Sequence, residues 1–92
     1  MANVLNESQI KTHLAALHGW KRKALEITKV YEHKNFVQAM GFVNSVAFLA
    51  EKANHHPDID IRWNKVTLTL STHSEGGLTE KDFTLAKEIE QL

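Results

Sequence analysis

From Glu51 to Asp60 the chain reads EKANHHPDID, in which two adjacent histidines, His55 and His56, precede the only proline, Pro57. Histidine titrates near pH 6.5, so at neutral pH one imidazole can give a proton while another takes one. Neutral imidazoles also bind zinc, and three of them with a water make an open catalytic site. A third candidate, His73, stands at the end of the next β-rich stretch. Neighbouring histidines on one backbone point in different directions, which makes joint chelation of one ion awkward. Acid–base chemistry, metal binding and a purely structural role all remain open on spacing alone. The chain has six histidines, and His13, His18 and His33 fall at surface positions or element ends, where they are read as incidental.

The elements that must position these rings are legible as patterns. Asn6 can cap a first helix, with Gln9 completing a capping-box-like start and Gly19 as its stop. Ile10, Leu14 and Leu17 follow helical spacing. From Trp20 to about His33 the pattern turns to strands: Leu25, Ile27 and Tyr31 share one parity, while Lys29 and Val30 break it and suggest a bulge or an edge. Asn35 can cap a long helix running to about Ala53, roughly 28 Å at 1.5 Å per residue. Phe36, Met40, Val43, Ala47 and Ala50 form an apolar stripe on it, and Val37, Phe42, Val46, Phe48 and Leu49 spread beyond that stripe. Such a helix has more apolar surface than one sheet face covers, so the surplus predicts a contact between subunits.

Ile59, Ile61 and Trp63 alternate, Asn64-Lys65 reads as a turn, and Val66, Leu68 and Leu70 alternate again. Thr67, Thr69 and Ser71 face the other way, and His73 continues their parity. SEGG is a loop, after which Thr79 caps a last helix with Asp82 three residues on and Phe83, Leu85, Ala86 and Ile89 facing inward. The order is helix, two strands, helix, two strands, helix: an α+β domain with a mostly antiparallel sheet covered on one face. Antiparallel pairing of 58–63 with 66–71 sets the start of one strand beside the end of the other, and so predicts His73 within reach of His55 and His56.

Composition bounds the rest. Ninety-two residues make one domain, 1–92. A chain of this size buries only about 60–65% of its unfolded surface, and association is one way to supplement that. There is no cysteine, which removes disulfides and thiolate metal sites. Eleven basic residues balance eleven acidic ones, which argues against a nucleic-acid footprint or a polybasic membrane patch. No apolar run has the length of a signal peptide or a membrane span, so a cytoplasmic location is expected.

Glu51, His55-His56-Pro57, Trp63, His73 and Asp82 stand in the order and spacing of a known signature. The runs NKVTLTLSTH and GGLTEKDFTLA, and the Gly19-Trp20 pair, agree with it. On these residues nearly the whole chain resembles the pterin-4a-carbinolamine dehydratases. One departure is Ile59, which stands where animal members often carry tryptophan and alters the pocket wall.

The resemblance implies three helices on one side of a four-stranded antiparallel sheet (α-β-β-α-β-β-α). It implies dehydration of 4a-hydroxytetrahydropterin to quinonoid dihydropterin, recycling the cofactor of aromatic amino-acid hydroxylases with no metal and no bound cofactor. His55 and His73 would be the acid–base groups, and His56 would bind and orient the pterin. Ser71 and Thr72 would offer backbone or hydroxyl contacts. Asp82 would orient a histidine or hold the pterin's amino-pyrimidine edge, although a carboxylate in a first helical turn is also explained by the helix dipole. Family members associate as dimers and tetramers, partly through the long helix, here Phe36 to Leu49. A different class of function is also implied, that of a binding module serving as dimerisation cofactor of a transcription factor.

Overall fold

The structure, a computed structural model, describes residues 4–92. Each helix begins where a side chain can take up its free N–H groups. Asn6 and Gln9 form a reciprocal capping box at the start of α1 (Glu7–Ala15). Asn35 Oδ1 accepts from Gln38 N at 2.9 Å and opens α2 (Phe36–Ala53). Thr79 and Asp82 form a second capping box at α3 (Glu80–Glu90). The strands are β1 (Lys21–Lys23), β2 (Glu26–Glu32), β3 (Asp58–Arg62) and β4 (Lys65–Leu70). They pair antiparallel in the order β1-β2-β4-β3, giving the α-β-β-α-β-β-α order of an α+β fold.

Alternation along the strands decides which face is covered. Val66, Leu68 and Leu70 of β4 are buried, and so is Ile27, which faces Leu70 across the β2–β4 pair. They join Ile10 of α1, Ala39 and Val46 of α2, and Phe83, Leu85, Ala86 and Ile89 of α3 in one hydrophobic core. The helices therefore share one side of the sheet. The other side carries Thr28 and Thr69, whose hydroxyls lie 3.2 Å apart.

Several expectations need correction. β2 runs in unbroken register with β4 from Ile27 to Glu32, so there is no bulge at Lys29 and Val30; β1 pairs only as far as Thr28, which leaves the two at an edge on their other side. Lys29 keeps inward parity because its ammonium lies over the Tyr31 ring, with Nζ 4.5 Å from the ring centroid. The ammonium donates to His18 O at 2.6 Å and lies 3.7 Å from Glu90 Oε1. Leu25 is exposed in the β1–β2 turn rather than aligned in a strand. Arg62 pairs with Lys65, which makes the hairpin turn Trp63-Asn64 instead of Asn64-Lys65. Trp63 takes the left-handed φ of 52° and is 69% exposed. Asn64 instead turns inward, donating through Nδ2 to His33 O at 2.8 Å and accepting His33 N at its own carbonyl. Gly19 lies past the helix it was expected to stop, since α1 already ends at Ala15.

On α2 the inner positions are Ala39, Val46 and Ala50, with Phe42, Val43 and Leu49 partly buried. Phe36, Val37, Met40 and Phe48 face outward, Val37 at 79% and Phe48 at 78% exposure. A helix apolar on several sides does not reveal from sequence which side its sheet will take. No helix among the described residues is long and apolar enough to cross a membrane.

Candidate active site

The end of α2 aims the histidine pair. Asn54 adopts the left-handed conformation (φ 50°), and its N–H bonds to Glu51 O, while His55 N reaches back to Ala50 O at 3.1 Å. This is a Schellman closure with asparagine in the place glycine usually takes. It folds His55 across the helix end, and Pro57 then leads the chain into β3.

The two rings go opposite ways. His55 is nearly buried, at 11% side-chain exposure, and its Nε2 lies 2.6 Å from Asp82 Oδ1. His56 turns outward and pairs with Glu51 on the exposed surface. Asp82 is fully buried, and its second oxygen accepts from Thr72 Oγ1 at 2.8 Å and from Thr79 N at 3.0 Å. As a carboxylate Asp82 only accepts, so His55 Nε2 carries the proton and Nδ1 keeps the lone pair.

Thr72 also anchors the loop that bears His73. Its N–H and C=O bond to Gly77 at 3.0 and 3.4 Å, closing a tight 3₁₀ turn over His73–Glu75. Gly76 ends that turn at φ 79°, a conformation open to glycine without strain. His73 is thus in a turn rather than extending the parity of β4. It lines a cavity of about 290 Å³ with Ser71, Leu25 and Gly77. Ser71 Oγ donates to Leu25 O at 2.8 Å, tying the β1–β2 hairpin tip to this wall. His55 lines a different cavity, of about 270 Å³, with Glu80, Lys81 and Glu88.

The fold thus joins His55, Asp82 and Thr72 in one hydrogen-bonded network. It sets His73 and Ser71 beside that network and His56 with Glu51 at the surface. Among the described residues no hydrogen bond links His73 to His55 or His56, and no group of three or more His, Cys, Asp or Glu side chains is arranged to hold a metal ion. Sequence reading missed Thr79 as part of the network: its hydroxyl lies 2.8 Å from that of Thr72. Its only sequence signal was the capping box, which explains a threonine there without any partner outside the helix.

A buried carboxylate behind an imidazole, on a small α+β scaffold with an open cavity beside a second imidazole, offers the groups that acid–base chemistry on a ligand requires. The family model described as pterin 4 alpha carbinolamine dehydratase matches residues 3–92, and the chain belongs to that family. A relative from Roseiflexus castenholzii, provisionally named pterin-4-alpha-carbinolamine dehydratase, is 55% identical over all of this chain and 99% of its own length. One from Acidobacterium capsulatum, provisionally given the same name, is 56% identical over 96% of each chain. The crystal structure of a transcriptional coactivator/pterin dehydratase from Brucella melitensis is 40% identical and superposes with a TM-score of 0.93 over 97% of both chains.

Proposed function

We propose that the protein dehydrates a pterin 4a-carbinolamine to the quinonoid dihydropterin, with His55 and His73 as its acid–base pair and no metal in the reaction. The observation that carries this reading is the His55–Asp82 hydrogen bond, 2.6 Å long and shielded from water on the Asp82 side. Elimination requires one proton delivered to the departing 4a-hydroxyl, which leaves as water, and one removed from ring N5. With Nε2 committed to Asp82, His55 presents Nδ1 as an accepting nitrogen and suits the base. The adjacent carboxylate stabilises the imidazolium that forms. His73, on the cavity wall, then supplies the proton to the hydroxyl. Each such proton transfer is typically worth 10²–10⁴-fold.

His56, paired with Glu51 on the exposed surface, binds and orients the pterin, and Ser71 contributes to the wall beside His73. Thr72 and Asp82 do not meet the substrate in this reading. Both are buried with their polar atoms engaged, so they serve by holding His55. The product would re-enter a cytoplasmic pool of reduced pterin. The outward face of α2, with Phe36, Val37, Met40 and Phe48, joins copies of the chain into a dimer or tetramer.

The test follows absorbance as a freshly generated 4a-carbinolamine decays, in chelator, with the parent protein and with the His55→Ala, His73→Ala double variant. Acceleration by the parent that vanishes in the variant supports the reading. No acceleration by a folded parent sinks it. A second reading, a coactivator-like binding module, is favoured by that same exposed apolar α2 face and by the description of the Brucella relative. Phe48→Asp separates the two, since it should abolish association while the histidines and their hydrogen bonds stay in place.

A further inference from the structure

We infer that Thr79, beyond capping α3, is a positioning residue for His55. Its hydroxyl is the terminal donor of a chain that fixes the proton on His55 Nε2. The inference rests on the reading of His55 as an acid–base group.

The hydrogen directions follow by elimination. Thr72 has one hydroxyl proton, and it goes to Asp82 Oδ2, which cannot donate. The Thr72–Thr79 hydroxyl contact at 2.8 Å then has a single solution, with Thr79 donating and Thr72 accepting. Thr79 Oγ1 in turn accepts Lys81 N at 3.3 Å, and Thr79 N donates to Asp82 Oδ2 at 3.0 Å. The order is Thr79 to Thr72 to Asp82, which receives His55 Nε2–H on its other oxygen. Thr79 is fully buried and touches no substrate, so any influence on the reaction passes through this chain. A cap alone needs only an acceptor, which asparagine or aspartate supplies equally well. Accepting Lys81 N and donating to Thr72 through one and the same atom is what requires a hydroxyl. The same hydroxyl holds Thr72, which closes the turn bearing His73, so the start of α3 sets the position of both imidazoles.

The experiment compares Thr79→Val, Thr79→Asn and Thr79→Ser with the parent protein. Imidazole ¹H–¹⁵N correlation spectra report the His55 tautomer without reference to activity, and kcat and KM are measured alongside. The parent and Thr79→Ser should hold His55 in the Nε2–H form. Thr79→Val should give a mixed tautomer and lose about tenfold in kcat with KM little changed, the size of effect usual when a supporting hydrogen bond is lost. Thr79→Asn keeps the cap acceptor and remains informative if the valine variant does not fold. It should lie between valine and serine. A His55 tautomer and kcat unchanged in both Thr79→Val and Thr79→Asn overturn the inference. A parent protein with the expected tautomer and no dehydratase activity overturns instead the functional reading on which it rests.

Discussion

The two ends of α3 hold the molecule together in different ways. At the N-terminal end Asp82 gathers Thr72, Thr79 and His55, and every hydrogen bond has a donor and an acceptor assigned. At the C-terminal end Glu90 accepts His18 N at 2.8 Å and lies 3.7 Å from Lys29 Nζ, clamping the α1–β1 connection to β2. There the polar bookkeeping is incomplete: Trp20 Nε1 and Tyr31 Oη are buried without a partner among the described residues. The dipole separates the ends further, because a carboxylate suits a helix start and opposes a helix end. Asp82 gains from its position, whereas Glu90 is kept there by the ammonium and amide it engages. A fully satisfied network fixes a tautomer, and a partly satisfied one only fixes a shape.

The largest effect should come from breaking the first end. Asp82→Asn replaces an acceptor-only carboxylate with a group that can donate, which frees the opposite tautomer of His55. We expect kcat to fall at least a hundredfold and unfolding free energy by about 1–3 kcal/mol, the usual cost of a broken buried hydrogen bond. Denaturant melts beside initial rates check both numbers. Glu90→Ala should do the reverse in kind. Stability should drop by about 1–2 kcal/mol through the lost bonds to His18 and Lys29, with kcat at the parent value. A rate loss in Glu90→Ala comparable to that of Asp82→Asn would erase the distinction between the ends.

A smaller effect belongs to Tyr31. Burial, helped by the negative charge of Glu90, pushes its phenol up to about 12 from the usual 10. A folded-state pKa above the unfolded one gives stability that is complete below pH 10 and is lost as pH rises toward 12. Tyr31→Phe should cost little near neutrality, since its hydroxyl has no partner, and should escape that alkaline loss. Thermal melts from pH 8 to 11.5 test the crossing. Smallest is the exposed Glu7–Arg22 pair. Arg22 holds the Glu7 carboxyl below its ordinary value, so its contribution is present above pH 4.5 and fades as pH falls through the lowered folded-state value. Glu7→Gln should shift acid melts by the least of these variants.

Much of this frame was legible beforehand. The caps Asn6, Asn35 and Thr79, and the alternation of Val66, Leu68 and Leu70, announced the helices and the central hairpin because those signals are local. The misreadings came where tertiary partners decide. Trp63 continues the alternation of Ile59 and Ile61, yet the register places it in the turn, because Asn64 is required inward at His33. Lys29 breaks an apolar pattern, yet it stays in line because its ammonium finds the Tyr31 ring and the Glu90 carboxylate. At the site the histidines were visible as candidates, and Asp82 as one of two alternatives. Its bond to His55 joins the start of α3 to the end of α2, 27 residues away in the chain, and no local pattern records it. Thr79 was hidden more completely, since a cap is a sufficient reason for a threonine at a helix start.

The most direct test of the central claim is the rate of 4a-carbinolamine dehydration with His55→Gln, a variant that fills the same space and cannot take a proton. The account predicts that the folded variant loses at least a hundredfold of the parent's acceleration. A variant that dehydrates the carbinolamine as fast as the parent would contradict it.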